Sequence, residues 1–147
     1  MIEIKEIPTE LTYSVRQAIL RPGKPIESCF FEGDKLDTTT HYGILIDKEV
    51  VGVVSVFLNS NINFTETTQF QLRGMAISDS VQKKGLGKLL LEEVENCIFQ
   101  KKGNVIIWFN ARESAVAFYK KSKYQLIDKP FVIEGIGTHY IMYKKQI

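Results

Sequence analysis

The first apolar residues are spaced like a strand: Ile2, Ile4 and Ile7 stand against Glu3, Lys5 and Glu6 over residues 2–7. At Pro8-Thr9-Glu10 the period lengthens. Leu11, Val15, Ala18 and Ile19 fall roughly on one side of a helix that reaches about Leu20. Pro22 stops it by disfavouring helical geometry at Arg21. Residues 21–40 show no period and read as an irregular segment with one turn near Ile26 to Cys29, which Phe30 and Phe31 anchor by packing. Two strands follow, about His41–Asp47 and Val50–Leu58, joined by the short connection Asp47-Lys48-Glu49. A polar hairpin loop, 59–67, leads to an apolar, β-like run from Phe70 to Ser78. Leu86, Leu89, Leu90, Val94, Cys97 and Ile98 then share one face of a helix over about 85–101. A strand over 104–109, a helix over about 112–121, and strands near 124–128 and 137–143 complete the pattern.

Between the strand ending at Ser78 and the long helix lies Gln82-Lys83-Lys84-Gly85-Leu86-Gly87-Lys88. Two glycines let a ligand approach the backbone without a Cβ in the way. The first N–H groups of the helix are free to bind an anion, and the helix dipole adds about half a positive charge there. Lys83, Lys84 and Lys88 make the same end more electropositive, so a pyrophosphate suits it. The spacing is not that of a Walker loop, because Gln82 stands where the first glycine belongs and Leu89 follows Lys88. It is not a Rossmann fingerprint either, since Leu90 occupies the place of the third small residue. The plain alternative is a helix start punctuated by glycine.

Composition narrows the class without naming a chemistry. The chain has 147 residues, 44% hydrophobic and 24% charged, in the range of one soluble globular domain. Nineteen basic against seventeen acidic residues give a net charge of +2, too balanced to argue for nucleic acid or an anionic membrane. The lysines cluster instead at 83–88, 101–102, 120–123 and 144–145. Cys29, in the loop, and Cys97, on the helix face where a buried thiol is expected, suggest neither a disulfide framework nor a metal site. No signal-peptide core or membrane-length apolar run is evident, so the expected location is the cytoplasm.

The phosphate loop fits the pattern Gln/Arg-x-x-Gly-x-Gly/Ala, and a second block follows about 25 residues later. There, Asn110 closes a strand and leads into a helix carrying Ala115-Val-Ala-Phe118-Tyr119. In this order the two blocks resemble the GNAT acetyltransferase superfamily over about residues 40–145. Leu20 to Pro25 and Phe31 to Asp34 also look like a bacterial subgroup of undefined substrate. The resemblance implies one domain over 1–147 of α/β (α+β) class, with a mixed, mostly antiparallel sheet of six or seven strands and about four helices. One departure stands out: Lys123 occupies the glycine position of the family's usual turn before Tyr124.

By resemblance the co-substrate is acetyl-CoA, and the reaction is direct transfer to a primary amine of a small molecule or peptide in a ternary complex. Gln82, Lys83, Lys84, Gly85, Leu86, Gly87 and Lys88 would hold the pyrophosphate. The backbone of Met75, Ala76 and Ile77 would pair with the pantetheine arm, which Asn110 would also contact. Tyr119 is the implied general acid for the leaving thiolate, against a plainer reading as a packed ring. For the base, Glu66 and His139 are candidates, each also readable as a structural or solvated residue. Arg21, Phe31 and Asp34 are candidate acceptor contacts. No metal is expected, and monomer and homodimer both remain open. The alternative from another class is a non-catalytic acyl-CoA-binding or regulatory domain.

Overall fold

The computed structural model describes residues 1–101 and 103–146, so Lys102 of the second lysine cluster lies outside the described residues. One sheet of eight strands organises the chain: β1 (Ile2–Ile7), β2 (Thr40–Ile46), β3 (Glu49–Leu58), β4 (Thr68–Ile77), β5 (Val105–Arg112), β6 (Gln125–Leu126), β7 (Phe131–Ile133) and β8 (Gly137–Lys145). The spatial order is β1-β2-β3-β4-β5-β8-β6, with β7 also on β8. Every pairing is antiparallel except β4 with β5. That parallel pair follows from the helix between its strands, since only a crossover can bring the chain back in the same direction. The hairpin at Asp47-Lys48 has both residues at positive φ, 49° and 71°, which the right-handed strand twist favours in a two-residue turn.

Three helical segments flank the sheet. The first, α1, joins a 3-10 turn (Thr9–Thr12), one α-helical turn (Tyr13–Val15) and a π-helical stretch (Arg16–Leu20). The long helix α2 spans Leu86–Phe99, and a 3-10 turn (Glu113–Ala115) precedes the short α3 (Val116–Lys121). On α2 the buried apolar residues are Leu86, Leu90, Leu91, Val94 and Ile98, packed against Ile44, Val54, Leu72, Ile107 and Met142 of the sheet. Leu90, Leu91 and Val94 have no exposed area, each contributing roughly 1.5–3 kcal/mol. The opposite sheet face holds a smaller cluster of Ile7, Leu45, Val53 and Ala76 against Val15, Ile19 and Leu20 of α1. Among the described residues no helix is long and apolar enough to cross a membrane.

Several expectations need correction. The strand expected to close at Phe109 runs on to Arg112, so Asn110 sits within β5 opposite Ile141 rather than ending it. The strand near 124–128 shrinks to two residues, and β7 was not anticipated because three residues after Pro130 carry too little pattern to read. The buried face of α2 is rotated from the expected one: Leu89 is exposed and Leu91 takes its place inside. The cysteines exchange roles. Cys29 is fully buried, whereas Cys97 is half-buried with Sγ 3.8 Å from Glu93 Oε1.

Candidate active site

The site begins where the parallel pair ends. β4 and β5 are hydrogen-bonded only from Thr68 opposite Val105 to Gln71 opposite Trp108. Beyond that point β4 stays on β3 and β5 stays on β8, and the sheet splits between them. A bulge on β4 accompanies the split. Ser55 faces Arg73 and Val53 faces Ala76, so Gly74 and Met75 together oppose Val54. Gly74 has φ +67°, and a Cβ there would lie 2.9 Å from Phe31 Cε2, so both backbone and space require glycine. The split opens a cleft of about 450 Å³ walled by β4, β5, α1, α3 and the loop before β8.

At the C-terminal end of β4 the chain turns through a 3-10 turn (Asp79–Val81) into the loop before α2. Gln82 braces this loop, donating from Nε2 to the Ile77 carbonyl at 2.8 Å. Lys83 and Gly85 follow in the left-handed region, with φ of 65° and 79°. Leu86 anchors the helix start by burial. The first helical bond runs from Leu89 N–H to the Gly85 carbonyl at 3.1 Å. Among the described residues the six N–H groups from Lys83 to Lys88 therefore have no backbone acceptor, and no side chain caps the helix. A Cβ on Gly87 would sit 3.7 Å from Met75 Cε and 3.4 Å from Phe118 Cζ, so the helix start abuts the cleft wall. Free N–H groups, three exposed lysines and the helix dipole come together at this helix start. That combination suits a phosphate group.

Inside the cleft, Tyr119 of α3 packs against Phe109 with ring centroids 4.3 Å apart. Burial pushes its phenol up to about 12. His139 of β8 also lines the cleft, buried, with Nδ1 2.8 Å from the Gly137 carbonyl. A carbonyl only accepts, so Nδ1 carries the proton and a neutral His139 keeps its Nε2 lone pair available. Asn110, Arg21, Phe31, Arg73 and Met75 also line the cleft.

Two of the expected site residues lie elsewhere. Glu66 precedes β4 at the far end of the sheet, about five residues or roughly 16 Å along the strand from Gln71. It is paired with Lys145 at 3.2 Å. Burial raises its carboxyl, but hydrogen bonds from its own backbone and from Lys145 outweigh this and hold it below the ordinary value. Asp34 does not line the cleft. Its carboxylate receives Arg16 Nη1 at 2.7 Å and Nη2 at 3.0 Å, and the Phe31 N–H at 2.8 Å.

Arg16, Ser55 and His41 carried no signal in the sequence, and Asp34 was expected at the acceptor rather than as the partner of Arg16. The Arg16 side chain has no exposed area and also donates to the Cys29 carbonyl and to Ser55 Oγ, both at 2.8 Å. Ser55 in turn contacts His41 Nδ1 at 2.6 Å, and His41 Nε2 lies 2.8 Å from the Asp34 carbonyl. Because that carbonyl must accept, His41 donates from Nε2, receives the Ser55 hydroxyl at Nδ1, and leaves Ser55 to accept from Arg16. The network clamps the segment 21–40 to β2 and β3 and sets Phe31 over the cleft, with the Arg16 guanidinium 3.9 Å from its ring centre. An isolated Arg on a short helix carries no sign of burial. A carboxylate eighteen residues later was the only available hint.

A family model described as "Acetyltransferase (GNAT) domain" matches residues 31–145. The uncharacterized N-acetyltransferase YitI of Bacillus subtilis (strain 168) is 33% identical over 144 residues, covering 98% of this chain and 96% of that one. Two solved structures share the fold at low identity. An aminoglycoside 6'-N-acetyltransferase complexed with coenzyme A gives a TM-score of 0.77 at 14% identity, covering 99% of this chain and 97% of that one. Arabidopsis thaliana NAA60 in complex with acetyl-CoA gives 0.76 at 12%, covering 99% and 98%. With the split sheet, the glycine loop and these matches together, the chain belongs to the GNAT acetyltransferase family.

Proposed function

We propose that this protein transfers an acetyl group from acetyl-CoA directly to a primary amine, both substrates being bound together. One observation carries the reading: β4 leaves β5 beyond Gln71, and the same strand leads into a loop whose N–H groups from Lys83 to Lys88 have no backbone acceptor among the described residues. The N–H groups receive the pyrophosphate, aided by Lys83, Lys84 and Lys88. The open edge at Met75, Ala76 and Ile77 receives the amide-bearing pantetheine arm as an added strand, and Asn110 faces it from β5. Gly85, Leu86 and Gly87 supply backbone and close approach rather than side-chain chemistry, and Gln82 holds the loop in shape. Acetyl-CoA brings an activated thioester; the protein supplies its placement and the proton transfers.

Tyr119 is the proton donor for the leaving thiolate. Against a thiol in water, a phenol near 12 would make complete transfer cost about 5 kcal/mol. Desolvation beside Phe109 and Tyr119 raises the thiol as well, so the mismatch narrows as both groups share that environment. His139 takes the base role ahead of Glu66, because it lines the cleft and Glu66 is committed to Lys145. Thermal unfolding with acetyl-CoA, with ATP as comparison, tests the co-substrate. A ligand at one hundred times its Kd stabilises by about 2.7 kcal/mol. A shift with acetyl-CoA but not ATP, followed by CoA release with an amine panel, supports the enzyme. No shift at millimolar acetyl-CoA contradicts it, and a shift without turnover supports a binding module instead.

A further inference from the structure

We propose that the acetyl acceptor is a small amine bearing a carboxylate and an apolar side chain, with Arg21 and Arg73 receiving the carboxylate. The inference rests on the acetyl-transfer reading and specifies what that same cleft admits. Among the described residues, the cleft lining includes Arg21, Arg73 and Arg112 and no Asp or Glu. The nearby carboxylate of Asp34 is consumed by Arg16 through two hydrogen bonds. Arg21 and Arg73 form no ion pair within 4 Å among the described residues, and the other acidic residues of the segment 21–40, Glu27, Glu32 and Asp37, are exposed.

Arg73 is held in place without being neutralised. Its guanidinium lies 4.8 Å from the Phe31 ring centre and 5.3 Å from that of Phe57. Arg16 and Arg21 approach the same Phe31 ring at 3.9 and 5.8 Å. Three guanidinium groups therefore surround one ring, with one carboxylate among them. Ring faces offset part of that charge, but a half-buried cation retains its need for an anion. Burial first, with the charges of Arg16 and Arg21, pulls Arg73 below its ordinary value, against the opposing charges of Asp34 and Glu32. Arg21 Nη1 donates to the Leu20 carbonyl at 3.1 Å, and the remaining donors of Arg21 and Arg73, both lining the cleft, suit a carboxylate's two oxygens.

Ile19, Leu20, Phe31, Ile133 and Ile136 give the cleft an apolar wall, and its uncharged polar groups are Gln71, Asn110, Tyr119 and His139. A polycationic amine such as an aminoglycoside or polyamine would meet like charge there and no acid to offset it. The phosphates of acetyl-CoA have their own N–H groups beyond Met75, past the Gly74 bulge, so they do not account for Arg73.

The test is isothermal titration of the protein saturated with desulfo-CoA, using matched pairs: leucine with isoamylamine, phenylalanine with phenethylamine, and spermidine as the polycation. The expected result is that at least one amino acid binds about tenfold or more tighter than its decarboxylated partner, the worth of a charge-assisted pair. Arg73→Gln and Arg21→Gln should each abolish that preference while leaving the Kd for acetyl-CoA unchanged. Equal binding within every pair, no binding of any amino acid, or tighter binding of spermidine would overturn the proposal. So would a weakened acetyl-CoA Kd in the two variants, which would assign these arginines to the co-substrate. Failure of the unsubstituted protein to bind acetyl-CoA at all would overturn the acetyl-transfer reading itself.

Discussion

Two positively charged regions, one at the start of α2 and one beside α1, are built in opposite ways. At the α2 end, Lys83, Lys84 and Lys88 are exposed or nearly so, and the ligand-binding groups are backbone N–H donors presented by a turn. At the α1 end, Arg16 is fully buried, Arg73 is half-buried, and side chains do the work through a chain of hydrogen bonds. Solvent screens the lysines, so their contribution is modest, additive and sensitive to salt. The arginine network is largely desolvated, so removing one member exposes the full cost of the others. A backbone site tolerates side-chain change; a buried network does not.

The largest effect should come from breaking that network. Asp34→Ala strands the Arg16 guanidinium in the interior and should destabilise by about 3–5 kcal/mol. Urea unfolding reads this directly, and a loss below 1 kcal/mol would show that the clamp relaxes freely. Next comes Tyr119→Phe, expected to lower kcat about 10²- to 10⁴-fold with the acetyl-CoA Kd unchanged, as loss of a general acid does. A kcat within threefold of the original would reduce Tyr119 to a packed ring. At the opposite end, Lys83→Ala and Lys84→Ala together should weaken acetyl-CoA binding only several-fold and flatten its salt dependence, with stability moved by no more than about 0.5 kcal/mol.

Smallest is Lys123→Gly. Lys123 has φ 74° two residues past the end of α3, where its N–H reaches the Lys120 carbonyl at 3.0 Å and the Tyr124 N–H reaches the Tyr119 carbonyl at 3.2 Å. The turn forms without the family's glycine at a cost in backbone strain, so glycine should stabilise by about 0.5–1 kcal/mol. In alkali, Tyr119 adds a signed effect. Its pKa is raised above the unfolded value near 10, so the stability it contributes is complete below that pH and is lost as pH climbs toward 12. Unfolding of the Tyr119→Phe variant should show a shallower decline across that interval.

The same contrast explains what could be read before the structure was known. The phosphate loop was legible because its requirements are local: two glycines, a preceding strand and a following helix are all adjacent in sequence. Tyr119 and Asn110 came from a second compact block, although Asn110 proved to lie inside β5. The acceptor side was not legible. Its wall is assembled from α1, the 21–40 segment, β4 and the β7–β8 turn, and no periodicity connects Arg16 with Ser55 or Arg21 with Arg73. Nor does the position of Arg73 before Gly74 announce that its near neighbours are the rings of Phe31 and Phe57. The Gly74 bulge was hidden for a related reason: a glycine within a strand does not declare which partner residue it will oppose.

The central claim is that the open β4 edge and the free N–H groups before α2 form one acetyl-CoA track. Amide hydrogen exchange, with and without saturating acetyl-CoA, tests it most directly. Protection should appear together at Met75 to Ile77 and at Lys83 to Lys88, and ATP should not reproduce it at the β4 edge. Protection confined to some other surface, or none at either segment despite demonstrated binding, would contradict the account.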